Sequence, residues 1–116
     1  YGCGGVLAAL NKSRVGIVDF WLDNVQRVHE KHRDQVDRLP TEKQHDRLCE
    51  LNVLEQVVSL ANTPVIKDAW GREQKLTIHG WIYGLKDGLM HDLGITVDCP
   101  ADLPVRYDAA LKALEA

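Results

Sequence analysis

The sequence predicts an α/β fold, and three observations lead to that prediction. Apolar residues recur at helical spacing over most of the chain, two consecutive stretches are rich in β-favouring residues, and a turn signal separates those two stretches. Two strands alone are marginal in water. Because the predicted helices also need a larger sheet to cover, we expect further strands upstream of this span.

The first predicted element is a short helix that follows a glycine turn. Three glycines surround Cys3, and the apolar run Val6–Leu10 comes directly after them, which is typical of a tight turn leading into a helix. A polar connector, Asn11–Arg14, separates this element from a second helix predicted over Val15–Gln35. The residues expected on the buried face of the second helix are Val18, Trp21, Leu22, Val25 and Val28.

The third predicted helix starts at a capping box and runs to about Ala61. In this interpretation Thr41 is the N-cap and Gln44 reaches back to it. The residues expected in its core stripe are Leu48, Leu51, Leu54, Val58 and Ala61. A fourth, short helix is predicted with Pro64 in the first helical position and Gly71 at its end.

Two strands and a last helix complete the chain. Lys75–Tyr83 is rich in β-favouring residues, and Asp87 with Gly88 forms a turn signal. Leu89–Val97 is therefore expected to return beside the first strand as a hairpin. The apolar residues expected on one side of the last helix are Leu103, Tyr107, Ala110, Leu111 and Leu114.

The composition excludes two broad classes of partner. The chain has 116 residues, of which 45% are apolar and 27% charged, with a net charge of -3. Such a charge gives no general attraction to nucleic acid or to an anionic membrane surface. No apolar run approaches the roughly 20 residues of a membrane-spanning helix. We expect neither a nucleic-acid partner nor a membrane partner.

The cysteines and the first residues bear on location and completeness. Cys3, Cys49 and Cys99 are odd in number and lack paired spacing, which favours a reducing, cytoplasmic compartment over a disulfide framework. The chain opens on Tyr1 and a glycine turn of the kind that usually follows a strand. We therefore expect that this span begins within a fold and that residues 1–116 are the C-terminal portion of a single domain.

Cys3 is the strongest candidate for chemistry. It lies in a glycine turn at a predicted helix N-terminus, where the helix dipole and free N–H groups stabilise a thiolate. A thiolate binds zinc or acts as a nucleophile, whereas the alternative is a small buried residue in a tight turn. Both interpretations stay open on the local pattern alone.

The other thiols and the histidines give weaker signals. His29 and His32 are three residues apart on one helix, but no carboxylate or thiol has convergent spacing with them, so we do not predict a metal site there. We expect His45 and His91 to be solvated, and His79 to be a hydrogen-bonded core residue. Cys49 and Cys99 are interpreted as buried or inert thiols.

Several stretches together resemble one enzyme family. Residues 1–5, Tyr-Gly-Cys-Gly-Gly, are similar to the tail of the His-x-x-Cys-Gly-Gly segment of β-class carbonic anhydrases. Three further stretches resemble the bacterial branch of that family in the same order: Leu48–Val57, Ala69-Trp70 and Ile78–Gly84. The resemblance covers nearly the whole chain and is far more specific than the cysteine turn alone.

The resemblance implies a fold, a metal and a reaction. The family's fold has a central, mostly parallel sheet with an antiparallel edge strand, flanked by helices. Its members bind zinc through two cysteines and a histidine, and a zinc-bound hydroxide hydrates carbon dioxide reversibly to bicarbonate. Cys3 matches one zinc ligand, and Gly4 matches the residue whose backbone N–H faces the substrate. No other catalytic residue of the family falls within this span.

The resemblance also implies an incomplete site and an oligomer. The family's second cysteine and its histidine have no counterpart here, so we expect this span alone to be inactive. Tyr83 matches a tyrosine that binds a regulatory bicarbonate in some bacterial relatives, although a packed strand aromatic is the alternative. The predicted helices carry more apolar surface than this chain can bury, and the family forms dimers and tetramers. We therefore expect a homodimer or a homotetramer.

Two alternative functions remain at this point. A relative with the same fold and zinc ligands could act on carbon disulfide or carbonyl sulfide, which are also small linear molecules. A non-catalytic, oligomeric binding protein could have kept the fold and lost the metal. The residues upstream of Tyr1 separate the second alternative from an enzyme, because they would contain the remaining ligands.

Overall fold

A computed structural model describes residues 1–115. It contains six helices and two strands: α1 (Gly4–Leu10), α2 (Asp19–Lys31), α3 (Arg33–Asp37), α4 (Thr41–Ala61), α5 (Pro64–Gly71), β1 (Ile78–Tyr83), β2 (Met90–Val97) and α6 (Asp102–Glu115). The chain divides into two compact units. The first comprises Tyr1–Asn52 with Tyr83–Leu89, and the second comprises Val53–Ile82 with the chain from Met90 onward. The predicted α/β class is confirmed, with β1 and β2 paired as an antiparallel hairpin.

The first unit packs α1 against α2. Gly5 permits this approach, because a Cβ there would lie 3.0 Å from Cζ3 of Trp21. The helical part of the Val15–Gln35 stretch starts later than predicted. Asp19 Oδ1 accepts hydrogen bonds from the backbone N–H groups of Val15 (2.9 Å) and Gly16 (3.3 Å), which holds this segment in a turn.

The predicted second helix is also divided. His32 lies between α2 and α3 with φ -113° and ψ 27°, outside the helical region. This break accounts for the six helices of residues 1–115, where the sequence predicts five. Leu22, Val25 and Val28 are buried as predicted, whereas Val18 and Trp21 are 43% and 45% exposed.

The start of α4 differs from the predicted capping box. Thr41 is the first helical residue, and Gln44 Nε2 donates to the carbonyl of Leu39 (3.0 Å) rather than to the backbone of Thr41. The first turn is closed one residue earlier, because the N–H of Lys43 donates to the carbonyl of Pro40 (2.8 Å). The prediction of Thr41 as N-cap is therefore wrong.

The second unit has its own apolar core. Its buried members are Leu54, Val57, Ala61, Ile66, Ile78, Ile95, Val97 and Ala110. Val58, which is predicted to lie in the core, is only partly buried, whereas its neighbour Val57 is buried. Residues alternate along β1 between buried and exposed, and α6 packs on β2. A two-faced strand with one face on helices is the arrangement that period-2 alternation predicts.

Candidate metal centre

Cys3 is exposed and is the N-cap of α1. Its backbone is extended, with φ -69° and ψ 118°, and its carbonyl accepts the first helical hydrogen bond from the N–H of Leu7 (3.1 Å). The Cys3 side chain makes no capping hydrogen bond. Cys3 is therefore exposed rather than buried, and its role as a metal ligand stays a prediction.

The glycines on either side of Cys3 have different roles. Gly2 has φ +84°, a conformation that favours glycine, and a Cβ there would lie 2.9 Å from Cδ1 of Leu85, an exposed side chain that can shift. Gly4 is the first residue of α1, and a Cβ there would meet no atom within 4 Å. The N–H of a first-turn residue has no partner inside its helix. Since no atom lies near a Cβ at this position, the space beside Gly4 is open.

Two side chains of α4 contact the backbone of Cys3. His45 Nε2 lies 2.8 Å from the Cys3 carbonyl oxygen. A carbonyl can only accept, so Nε2 of His45 carries the proton. His45 is partly exposed and its bond to Cys3 is open to solvent, so the prediction of a solvated side chain holds in part. Cys49 also forms a hydrogen bond with the Cys3 backbone, while burial raises the pKa of the Cys49 thiol.

Tyr1 is held by the same helix. Its hydroxyl donates to Glu50 Oε2 (2.7 Å), and Arg47 Nε lies 3.5 Å from the other carboxylate oxygen of Glu50. Burial, followed by the hydrogen bond to the Glu50 carboxylate, raises the pKa of the Tyr1 phenol. The backbone nitrogen of Tyr1 donates to the carbonyl of Tyr83 (2.6 Å). The turn before Cys3 is thus fixed on both sides.

Tyr83 is the last residue of β1 and is half-exposed. Its hydroxyl would lie 3.7 Å from a Cβ placed on Gly88, within the connection between the two strands. The packed-aromatic alternative therefore describes its side chain only in part. The regulatory role of Tyr83 stays a prediction.

The remaining histidines have partners that the sequence did not reveal. His29 Nε2 lies 2.8 Å from Oδ1 of Asp37, and His32 is buried with a partner of its own. The prediction that His79 lies in the core is wrong, because His79 is one of the exposed residues of β1. Its Nδ1 forms a hydrogen bond with Oγ1 of Thr96 (3.1 Å), and its ring stacks on Trp81 with 4.9 Å between the ring centroids.

Cys3 fits zinc as one ligand of a larger set. An exposed thiol that makes no capping hydrogen bond is a suitable donor for this metal. Within residues 1–115, one group of three potential donor side chains converges within 4.8 Å, namely Asp98, Cys99 and Asp102, and Cys3 is not among them. Since a catalytic zinc site takes three protein ligands, the described residues supply only part of such a site at Cys3.

Comparison with known proteins identifies the family. A family model described as "Carbonic anhydrase" matches residues 1–90. A carbonic anhydrase of Emericella nidulans is 38% identical over 96 residues, which is 82% of this chain and 42% of that protein. The chain belongs to the carbonic anhydrase family.

Solved structures give the class. The Coccomyxa β-carbonic anhydrase in complex with acetazolamide superposes with a TM-score of 0.84 at 27% identity, covering 100% of this chain and 55% of that one. A tetrameric β-carbonic anhydrase of Sordaria macrospora gives 0.73 at 30% identity, over 83% and 49%. The fold is that of the β class. The chain spans about half or less of the length of these relatives, which are fungal and algal, so the bacterial branch stays a prediction.

Proposed function

We propose that the protein containing this span catalyses the reversible hydration of carbon dioxide to bicarbonate with zinc as its cofactor. The observation that carries the proposal is the family match over residues 1–90, a stretch in which Cys3 presents an open thiol. The fold similarity to β-carbonic anhydrases supports the same reaction.

Two residues of this span take part in the proposed reaction. Cys3 would hold zinc through its thiolate, and the metal, when bound, lowers the pKa of water to about 7 and so supplies hydroxide at neutral pH. Gly4 would bring its backbone N–H to the oxygen atoms of carbon dioxide or bicarbonate. The open space beside Gly4 supports this assignment, since a small linear substrate needs close approach to the backbone.

We propose that the active protein is longer than this span and that residues 1–116 form the C-terminal portion of its domain. A three-ligand zinc site requires two donors beyond Cys3. The chain covers only 42% of the carbonic anhydrase of Emericella nidulans. The isolated span should therefore show no hydration rate above buffer.

Oligomerisation and location are further proposals. Ile17 and Phe20 are 88% and 79% exposed, and an apolar surface of this kind supports a homodimer or a homotetramer. One similar solved structure is described as tetrameric. The three cysteines are free, which supports a reducing, cytoplasmic location. Within residues 1–115, no helix is both long enough and apolar enough to cross a membrane.

We further propose that Tyr83 binds a regulatory bicarbonate. We also propose that the protein belongs to the bacterial branch of the family. The half-exposed position of Tyr83 supports access by an anion. A Tyr83→Phe variant that keeps its hydration rate but loses inhibition by added bicarbonate would support the regulatory role. A variant with unchanged inhibition would refute it.

The test of the main proposal combines metal analysis with stopped-flow carbon dioxide hydration on the full-length protein. We expect zinc to copurify with the protein, and Cys3→Ser to lose both zinc and rate. A protein with zinc that turns over carbon disulfide or carbonyl sulfide but not carbon dioxide would instead be a hydrolase of those compounds. A protein with neither zinc nor turnover would be a binding protein.

A further inference from the structure

We propose that His45 is a positioning residue for Cys3, holding the carbonyl of the ligand cysteine and thereby the direction of its thiol. The inference rests on the proposed role of Cys3 as a metal ligand. His45 belongs to α4 and is 42 residues distant from Cys3 in the chain, so the contact is tertiary.

The turn around Cys3 cannot hold itself in place. Glycines occupy positions 2, 4 and 5, and glycine has more backbone freedom to lose on folding than any other residue. The Cys3 carbonyl already accepts one bond from the N–H of Leu7, at 3.1 Å. That bond belongs to the first turn of α1 and fixes the turn only relative to its own short helix.

His45 supplies a second bond to the same oxygen from a different element. A carbonyl has two acceptor sites, and at 2.8 Å the Nε2–H of His45 fills the other one. The helix that carries His45 is 21 residues long. The orientation of the Cys3 peptide is therefore tied to α4 as well as to α1.

A neighbouring side chain of α4 strengthens the contact. Cys49 follows His45 by four residues, a spacing that places both on one face of the helix. Its thiol forms a hydrogen bond with the Cys3 backbone. Two consecutive turns of α4 thus contact the backbone of the same residue. Partners that orient a metal ligand commonly change metal affinity by about 10- to 100-fold when they are removed.

The test uses the full-length protein that contains this span, with three histidine variants and Cys3→Ser. His45→Ala removes the donor, His45→Gln replaces it with an amide N–H, and His29→Ala removes a histidine that contacts Asp37 instead. Far-UV circular dichroism and a urea midpoint check that each variant folds. The first readout is the carbonyl ¹³C shift of Cys3, with the ¹⁵N order parameters of Gly2 and Gly4. The second is the Kd for Cd²⁺ followed by thiolate-to-metal absorption, with Cys3→Ser as the blank.

We expect His45→Ala to shift the Cys3 carbonyl resonance, lower the order parameters of the turn and raise the Cys3-dependent Kd about 10-fold. His45→Gln should restore most of the loss, and His29→Ala should change neither readout. Restoration by glutamine separates a positioning role from direct ligation by the imidazole.

Unchanged carbonyl and order-parameter readouts in His45→Ala would overturn the proposal, as would a looser turn with unchanged Cd²⁺ affinity. Failure of His45→Gln to restore any readout would also overturn it. If Cys3→Ser binds Cd²⁺ as well as the unaltered chain does, Cys3 is not a ligand. That result removes the proposed metal role itself, and the carbonyl readout still shows whether the hydrogen bond forms.

Discussion

Gly80 and Ile95 face each other across the hairpin at a distance that only glycine permits. A Cβ on Gly80 would lie 2.2 Å from Cγ2 of Ile95. That Cβ would also lie 3.3 Å from Cγ2 of Val57 and 3.5 Å from Cγ1 of Val53, both on α4. Ile95 is fully buried. The side chain of Ile95 therefore occupies the volume that a side chain on Gly80 would need.

Gly80→Ala should lower the free energy of unfolding by about 1–3 kcal/mol, because the buried neighbours cannot move away without strain. Urea unfolding followed by circular dichroism measures the change. Gly71→Ala is the matched control, since a Cβ there meets no atom within 4 Å. Equal unfolding midpoints for the two variants would contradict the observed packing.

Leu51→Ala should lower the free energy of unfolding by about 2–5 kcal/mol. Leu51 is fully buried in α4, and truncating its side chain would leave a cavity. Leu60→Ala on the same helix is the control, because Leu60 is 47% exposed and its replacement should cost far less. Both values come from urea titrations at neutral pH. A loss for Leu60→Ala as large as that for Leu51→Ala would refute the assigned helix face.

Stability should fall as the pH rises above about 10, and Tyr1→Phe should flatten that fall. The pKa of Tyr1 is raised in the folded chain by burial and by Glu50. Above the ordinary tyrosine pKa of about 10, the unfolded chain loses the phenol proton while the folded chain retains it. Deprotonation therefore favours the unfolded state in this range.

Urea midpoints measured between about pH 9 and pH 11 test this pH dependence. Tyr83→Phe, which removes a half-exposed phenol, controls for the loss of a tyrosine. If the urea midpoint of Tyr1→Phe falls with pH as steeply as that of the unaltered chain, the Tyr1–Glu50 hydrogen bond does not govern the loss of stability at alkaline pH.

Cys3 should react with iodoacetamide in the folded chain long before Cys49 does. Cys3 is exposed, whereas Cys49 is buried and its pKa is raised by that burial. The reactive species is the thiolate, so both burial and a raised pKa slow the reaction. Peptide mass spectrometry after timed quenching separates the sites. Similar labelling rates without denaturant would contradict the described environment of Cys49.

Phe20→Ser should reduce self-association while leaving the unfolding free energy within about 0.5 kcal/mol. Phe20 is among the most exposed apolar side chains of the chain, and exposed apolar groups promote association. Sedimentation velocity over a range of concentrations measures the effect, and Arg27→Ser on the same helix is the control. Unchanged sedimentation in Phe20→Ser would exclude this part of the surface from the interface.

Local patterns in the sequence predicted most of the secondary structure correctly. β-Favouring residue types and the Asp87-Gly88 turn located both strands, and Pro64 located the start of α5, because these signals act within a few residues. The errors occur where a neighbour decides the outcome. Asp19 binds the N–H groups of Val15 and Gly16 and delays α2, and nothing in the spacing of apolar residues reports such a contact.

The sequence by itself determined that Cys3 lies in a glycine turn at the start of a helix, since glycine conformation and helix initiation are local properties. Only the tertiary structure decided that His45, Cys49 and Glu50 hold this turn. The reason is that hydrogen bonds between residues more than 40 positions apart depend on how the helices pack. No periodicity or short motif encodes that distance.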